Sequence, residues 1–308
     1  MPLDPQAKAV LDQMAALNMP PLHTMTPEQA RRRPAAPVPG EPVARVEDRT
    51  IPGPAGEIPV RIYTPEGEPP FAALVFFHSG GWVIGSVEGS DAKARLLANA
   101  SGCVVISVEY RLAPEHRFPA AADDAYAAAA WVAEHAAEIG ADPRRIAVGG
   151  ESAGGNLAAV VSLMARDRGG PPLRFQLLIL PVTDRNFETA SYVANADGYG
   201  LTRAGMIWFW NHYLSDEAEA RNPHAAPLQA EHLRDLPPAY VLTAEYDPLR
   251  DEGEAYAARL REAGVPVIAV RCEGLTHISF GVPSIERGMQ AMRQAAAALR
   301  TAVGTVTN

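Results

Sequence analysis

A serine framed by two glycines is the residue in this sequence best placed to do chemistry. Residues 150–154 read Gly-Glu-Ser-Ala-Gly, a G-x-S-x-G pattern that follows a predicted strand at 146–149 and begins a predicted helix at 153–166. A serine held on such a tight turn exposes its hydroxyl, and the crowded backbone needs small residues two positions to either side. The pattern therefore favours Ser152 as a nucleophile over the alternative, which is an ordinary glycine-rich turn between a strand and a helix.

A serine hydroxyl alone is a weak nucleophile, so a base and an orienting acid must come from elsewhere in the chain. His277 follows a late predicted strand, and it is the one histidine of the eight that does so. Asp247 follows the predicted strand before it, with Glu245 and Asp251 nearby as alternative acids. Because the carboxyl ends of parallel strands meet at one edge of a sheet, we expect Ser152, Asp247 and His277 to lie together.

Acyl transfer also needs amide donors for the negative oxygen that develops on the substrate. Residues 78–82 read His-Ser-Gly-Gly-Trp and follow a predicted strand at 73–77. Successive glycines allow backbone N–H groups to turn into a pocket without a Cβ in the way. We predict an oxyanion hole formed by the amides of Gly80, Gly81 and Ala153; a plain glycine hinge is the alternative.

Short apolar runs alternate with longer helical patterns from residue 72 onward, which is typical of a mostly parallel sheet covered on both faces. Strands are predicted at 43–51, 58–63, 73–77, 104–108, 146–149, 175–180, 240–244 and 267–271, and helices at 5–17, 27–33, 90–100, 120–138, 153–166, 250–263 and 283–301. The stretch 186–221, with an aromatic helix at 206–213, interrupts this alternation and is interpreted as an insertion over the sheet edge. The predicted fold class is α/β.

Composition narrows the possible functions. The chain has 308 residues, of which 47% are hydrophobic, and a formal net charge of −9. Such a composition supports a large single core and excludes a disordered or fibrous protein. A net negative charge argues against nucleic acid or an anionic membrane as the main partner, because both need a concentrated basic surface.

Location and cofactors are predicted from patterns that the sequence lacks. Residues 1–25 show no signal-peptide pattern, and apolar runs such as 125–133 are far shorter than the roughly 20 residues of a membrane span. Cys103 and Cys272 have no partner at metal-ligand spacing, so we expect free thiols in a reducing compartment. No nucleotide-binding glycine motif follows a strand. We therefore expect a cytoplasmic protein without a membrane span, a cofactor or a metal.

Five motifs together are similar to those of the hormone-sensitive-lipase-like family of bacterial carboxylesterases. They are His-Ser-Gly-Gly-Trp at 78–82, Tyr-Arg-Leu-Ala-Pro-Glu-His at 110–116, Gly-Glu-Ser-Ala-Gly-Gly-Asn at 150–156, Asp-Pro-Leu-Arg-Asp-Glu-Gly at 247–253, and His277. The resemblance extends from about residue 43 to the C-terminal helix and is specific as a set.

The resemblance implies an α/β-hydrolase fold, with a mostly parallel central sheet flanked by helices and a helical cap, and a triad of Ser152, Asp247 and His277. The expected division is an N-terminal cap segment at 1–42, core segments at 43–185 and 226–308, and a cap insertion at 186–225.

The implied activity is hydrolysis of short- to medium-chain carboxylic esters through an acyl-enzyme intermediate on Ser152. The alternatives are amide hydrolysis by the same triad, and a non-catalytic small-ligand receptor on the same scaffold. Such receptors lack the catalytic histidine, so the presence of His277 weighs against that alternative. The expected partners are a small ester and water, and a homodimer is an open expectation because members of the family often dimerise.

Two positions depart from the family pattern. Ser79 stands where the family loop usually has a glycine, and Ile278 follows the histidine where a glycine is usual. The two glycines at the donor positions remain, so the oxyanion hole is still expected. For substrate contacts we predict Trp82, beside the glycine loop, and Tyr199, in the cap insertion; the alternative is that the aromatic residues of the cap, with the run at 208–210, simply form its core.

Overall fold

The computed structural model describes residues 1–33, 38 and 40–304. In this part of the chain eight strands form one sheet, in the spatial order β1-β2-β4-β3-β5-β6-β7-β8. The strands are β1 (Arg45–Gly53), β2 (Gly56–Thr64), β3 (Phe71–Phe77), β4 (Cys103–Val108), β5 (Ala141–Glu151), β6 (Leu173–Ile179), β7 (Ala239–Tyr246) and β8 (Val267–Thr276). The β1–β2 and β2–β4 pairs are antiparallel, and every pair from β4 to β8 is parallel.

Helices cover both faces of the sheet, as the continuous apolar strands predict. Those in the described residues are α1 (Pro5–Ala16), α2 (Pro27–Arg31), α3 (Asp91–Ser101), α4 (Ala120–Glu134), α5 (Ala153–Arg168), α6 (Ala190–Ala194), α7 (Arg203–Tyr213), α8 (Arg250–Glu262) and α9 (Glu286–Val303). In β3, Ala73, Val75 and Phe77 belong to the core cluster shared with α4, α5 and α8. The alternate residues, Leu74 and Phe76 among them, belong to the cluster shared with α3 and α9.

The predicted long helix at 120–138 is interrupted at His135. Helix α4 ends at Glu134, and a separate 3₁₀ turn follows at Ala136–Ile139. The His135 ring Nδ1 lies 3.0 Å from the Trp131 carbonyl oxygen, which the His135 backbone N–H also contacts at 2.8 Å. Because the ring occupies the end of the helix in this way, the single-helix prediction is wrong.

Strand β8 is longer than predicted, and the difference matters for the site. The sequence pattern predicts its end at residue 271, whereas the structure continues it to Thr276. The pairing with β7 passes an irregularity after Ala244 and ends with Tyr246 opposite Thr276. The longer strand carries His277 to the same sheet edge at which β7 ends.

The N-terminal helices and the segment between β6 and β7 lie against one another. The indole N–H of Trp208, in α7, donates a 3.1 Å hydrogen bond to the carbonyl oxygen of Met25, which lies between α1 and α2. The division into a cap and two core segments at the boundaries given above stays a prediction. Within residues 1–33, 38 and 40–304, no helix is long and apolar enough to span a bilayer.

Candidate active site

The turn between β5 and α5 holds Ser152 in a conformation that few non-glycine residues adopt. Its φ and ψ angles are 59° and −117°, and its N–H donates a 2.8 Å hydrogen bond to the carbonyl oxygen of Ile179. A Cβ on Gly150 would overlap the carbonyl group of Gly154, and a Cβ on Gly154 would overlap the carbonyl oxygen of Phe77. The two glycines of the motif are therefore required by close backbone approach, and the turn has the geometry that the sequence predicts.

Three side chains from the ends of three strands form a hydrogen-bonded chain. Asp247 Oδ2 lies 2.7 Å from His277 Nδ1, and His277 Nε2 lies 3.1 Å from Ser152 Oγ. A carboxylate can only accept, so Nδ1 carries the proton and the free lone pair of Nε2 faces the serine hydroxyl. All three residues are buried, with exposed fractions of 1% for Asp247, 8% for His277 and 6% for Ser152. The arrangement is that of a nucleophile, a base and an orienting acid.

The contacts of each carboxylate identify Asp247, and not Glu245 or Asp251, as the acid that orients the histidine. The second oxygen of Asp247 accepts a 2.9 Å hydrogen bond from the N–H of Leu249, which fixes the carboxylate on the histidine. Glu245 instead accepts from the N-terminal ammonium group at 2.7 Å. Asp251 accepts from the N–H of Ser191 at 2.7 Å. Only the first of these carboxylates contacts the imidazole among the described residues.

The amides of Gly80, Gly81 and Ala153 are available as donors. None of the three N–H groups has a hydrogen-bond acceptor among the residues that the structure describes. Gly80 and Gly81 have φ angles of 126° and 58°, which favour glycine. A Cβ on Gly80 would overlap the carbonyl oxygen of Ile84, and a Cβ on Gly81 would overlap the ring of Phe209. The loop that contains Ser79 therefore has a conformation that is compatible with free amide donors.

The stacked, buried rings of His78 and Tyr110 support this loop. The His78 ring stacks on Tyr110 with 4.2 Å between centroids, and the Tyr110 hydroxyl donates a 2.9 Å hydrogen bond to the His78 carbonyl oxygen. His78 Nδ1 lies 2.8 Å from the carbonyl oxygen of Ser79 and donates to it. Complete burial lowers the pKa of His78 to about 4, so the ring is neutral at pH 7 and serves as a structural donor.

A second support comes from Arg31, whose role the sequence did not reveal. Its Nε donates a 2.8 Å hydrogen bond to the carbonyl oxygen of Val83, just after the glycine loop. Its two terminal nitrogens bind both carboxylate oxygens of Glu115 at 2.8 and 2.7 Å. The arginine lies 52 residues before Val83, so no local pattern could reveal the contact.

A cleft of about 430 Å³ opens over the reactive atoms. It is lined by Val38, Ser79, Gly80, Gly81, Ile84, Gly89, Ala92, Lys93, Glu151, Ser152, Leu201, Phe209, His277, Ile278, Phe280, Gly281 and Val282. Of the aromatic run 208–210, only Phe209 lines this cleft. Within the described residues, no group of three or more His, Cys, Asp or Glu side chains is arranged to hold a metal ion.

The two predicted substrate contacts lie elsewhere, and both predictions need correction. Trp82 is fully buried; its indole stacks on Tyr213 with 4.1 Å between centroids and packs against Trp210 at 4.8 Å. It has a φ of 61°, and the turn directs its side chain into the core. Tyr199 lies against Tyr246, with 4.8 Å between centroids, and it does not line the cleft over Ser152.

Comparisons with known proteins agree with this geometry. A family profile described as the α/β-hydrolase fold matches residues 74–280. The carboxylic ester hydrolase LipN of Mycobacterium tuberculosis is 48% identical over 238 residues, which are 75% of this chain and 63% of that protein. An arylesterase of Saccharolobus solfataricus is 39% identical over 297 residues, covering 95% and 97% of the two chains. The structure of the ester hydrolase EH1AB1, from the metagenome of Lake Arreo, superposes with a TM-score of 0.93 at 42% identity, covering 98% of this chain and all (100%) of that one.

The chain belongs to the α/β-hydrolase family. Both the predicted fold class and the predicted resemblance to the hormone-sensitive-lipase-like carboxylesterases are confirmed. The relatives also confirm that the chain is an enzyme of the carboxylic ester hydrolase class.

Proposed function

We propose that this enzyme hydrolyses short- to medium-chain carboxylic esters through an acyl-enzyme intermediate on Ser152. The observation that carries the proposal is the hydrogen-bonded chain from Asp247 through His277 to the serine hydroxyl, at 2.7 and 3.1 Å. Free amide donors lie on the loop beside it. The names of the relatives, a carboxylic ester hydrolase and an arylesterase, support the choice of ester over amide.

In the first half of the reaction Ser152 Oγ attacks the ester carbonyl carbon while its proton passes to His277 Nε2. The carbonyl oxygen becomes negative and accepts hydrogen bonds from the backbone amides of Gly80, Gly81 and Ala153. The C–O bond to the alcohol then breaks, and His277 returns its proton to the leaving oxygen. Asp247 holds the imidazole tautomer and stabilises its positive charge throughout.

In the second half a water molecule attacks the acyl carbon and gives a proton to His277. The bond from the acyl carbon to Ser152 Oγ breaks, the carboxylic acid leaves, and the serine recovers its proton from the imidazole. No electron transfer occurs in either half, and water is the only co-substrate.

The size of the cleft supports the expected chain length. A volume of about 430 Å³ lies toward the small end of the range for small-molecule sites, roughly 300–1,000 Å³. Such a space fits a short or medium acyl chain together with a small alcohol.

The test is hydrolysis of p-nitrophenyl esters from acetyl to palmitoyl by the wild type and by Ser152→Ala. We expect wild-type turnover to be highest with short chains, and the variant to lose at least about 10⁴-fold in kcat. Circular dichroism and thermal unfolding of both proteins would confirm that the variant is folded. Activity retained in the folded variant, or a wild type active on p-nitroanilides and inert on esters, would overturn the proposal.

Homodimer formation and a cytoplasmic location belong to the proposal as well. β8 is an edge strand, and its Ile268 side chain is 53% exposed, which favours association along this edge. Cys103 and Cys272 are free thiols, as reducing compartments maintain them. Light scattering on the purified protein and fractionation of the producing cells would test the two expectations.

A further inference from the structure

One charged pair lies in the cleft and has no part in the proposed reaction. Lys93, on α3, forms an ion pair with Oε2 of Glu151, the residue directly before Ser152. Both side chains line the cleft over the serine. The side chain of Lys93 is 20% exposed and that of Glu151 is 7% exposed. Among the described residues that line this cleft, Lys93 is the only lysine or arginine.

The ammonium group has unused hydrogen-bonding capacity. It carries three N–H donors, and in the described part of the chain Glu151 is the one acceptor that it contacts. The side chain of Lys93 lines the cleft and is 20% exposed, so its remaining N–H donors are accessible to a ligand there. The hydroxyl of Ser79, which also lines the cleft, has no hydrogen-bond partner among the described residues.

The lysine is held in place, unlike a typical surface lysine. Gly281 has a φ of 72°, and a Cβ built on it would lie 2.8 Å from Cγ and 2.6 Å from Cε of Lys93. The aliphatic stem therefore packs directly on the Gly281 backbone, while Glu151 fixes the ammonium group. A donor fixed at both ends loses little side-chain entropy when a ligand binds.

The charge of the pair decides which ligand it suits. Lys93 and Glu151 together carry no net charge, and the carboxylate lies beside any group that reaches the ammonium. A second anion would meet that carboxylate at close range, whereas an uncharged oxygen would accept a hydrogen bond without repulsion.

We propose that Lys93 is a substrate-recognition residue, and that the preferred esters carry a second, uncharged oxygen acceptor (a ketone, ether or further ester group) in the acyl or the alcohol part. This inference rests on the proposed ester hydrolysis and names its substrate class. The ammonium group binds the second acceptor while Ser152 attacks the ester carbonyl.

The test compares three acyl esters of similar size: ethyl pentanoate, ethyl 4-oxopentanoate and monoethyl succinate. They place a methylene, a ketone or a carboxylate at the fourth carbon of the acyl chain. A parallel alcohol series, butyl acetate against 3-oxobutyl acetate, covers the other half of the substrate. The readout is the ratio of kcat/KM between the ketone and the plain ester, which cancels any general loss of catalysis.

In the wild type we expect the ketone ester to be favoured in at least one series, and Lys93→Met to lower that ratio by about tenfold. The double variant Lys93→Met/Glu151→Gln should show the same loss without leaving an unpaired carboxylate that could disturb folding. Glu151→Gln alone should raise the relative rate on monoethyl succinate, because it leaves the ammonium unneutralised. Lys8→Met is the matched control, since Lys8 pairs with Asp12 on α1 and is exposed.

Equal ketone-to-plain ratios in the wild type and both Lys93 variants, in both series, would overturn the inference while leaving ester hydrolysis intact. A wild type that hydrolyses none of these esters would instead overturn the proposed function. The two failures are therefore distinguishable in one set of assays.

Discussion

The aromatic ring of Phe209 lies directly over the α-carbon of Gly81. Phe209 belongs to α7, whereas Gly81 lies on the loop after β3, and a Cβ on the glycine would overlap the ring. A helix that is distant in sequence thus forms one wall of the cleft and also limits which residue can occupy the proposed oxyanion loop.

Gly81→Ala is expected to lower kcat by about 10²–10³-fold, the typical cost of losing one oxyanion donor. The new methyl group would collide with the ring of Phe209. The backbone of residue 81 has a φ of 58°, which is strained for a residue with a Cβ. The loop must therefore shift, and the amide of residue 81 shifts with it. Steady-state kinetics on a short p-nitrophenyl ester would measure the effect. The control is Gly89→Ala. Gly89 lines the same cleft, and a Cβ built on it would lie 3.5 Å from Ser86 Oγ, an ordinary van der Waals contact. Equal kcat in both variants would contradict a donor role for Gly81.

Asp247→Asn is expected to lower kcat by about 10⁴-fold, because the amide favours the wrong imidazole tautomer and leaves the imidazolium unstabilised. The same assay with Asp251→Asn is the control. Asp251 bonds the backbone N–H of Ser191 and not the histidine, so its loss should cost far less activity. A larger effect at Asp251 than at Asp247 would reassign the acid.

His78 should make the folded protein sensitive to mild acid. Its pKa is about 4 in the folded state because the ring is buried, whereas an unfolded histidine titrates near 6.5. Between these values the unfolded state binds one more proton, so the free energy of unfolding should fall as the pH falls, by about 3 kcal/mol in total. Urea unfolding at several pH values from 7 to 4.5 measures this slope.

His78→Asn can still bond the Ser79 carbonyl oxygen but cannot titrate, so its unfolding free energy should depend less steeply on pH across the same window. His232→Asn, at an exposed histidine, should keep the wild-type slope. Identical slopes in the wild type and His78→Asn would show that the buried imidazole does not control acid stability.

Trp82→Phe should reduce stability and leave KM unchanged, because the indole packs between Tyr213 and Trp210 and does not line the cleft. We expect a loss of about 1–2 kcal/mol in the free energy of unfolding. Phe209→Leu should instead raise KM for esters with short acyl chains. If Trp82→Phe raised KM as strongly as Phe209→Leu, Trp82 would be a substrate contact after all.

The residues that could be predicted from the sequence share one property: their signal is local. Ser152, Asp247, His277 and the Gly80–Gly81 loop each follow an apolar strand, and parallel strands bring such positions to one edge. The prediction that Trp82 contacts substrate has no such local signal. The direction of its side chain is set by its own φ of 61° and by the aromatic residues that it packs against in the core.

The lining of the cleft could not be predicted in this way. Lys93 and Glu151 lie 58 residues apart, and their contact exists only because α3 lies beside the carboxyl end of β5. Phe209 and Leu201 reach the cleft from the segment between β6 and β7, whose placement depends on packing against the rest of the chain. Periodicity fixes which residues share a face of one element, but it does not fix which elements meet.

The position of β8 at the sheet edge has a consequence for how activity is lost on heating. In the part of the chain that the structure describes, this strand pairs with a neighbouring strand on one side only, whereas β5, which precedes Ser152, pairs with one on each side. Edge strands separate at a lower free-energy cost than central ones. We therefore expect that on warming the imidazole at the end of β8 is displaced while the serine turn is still intact, so that the loss of esterase activity begins at a temperature below that of global unfolding and is reversed on cooling.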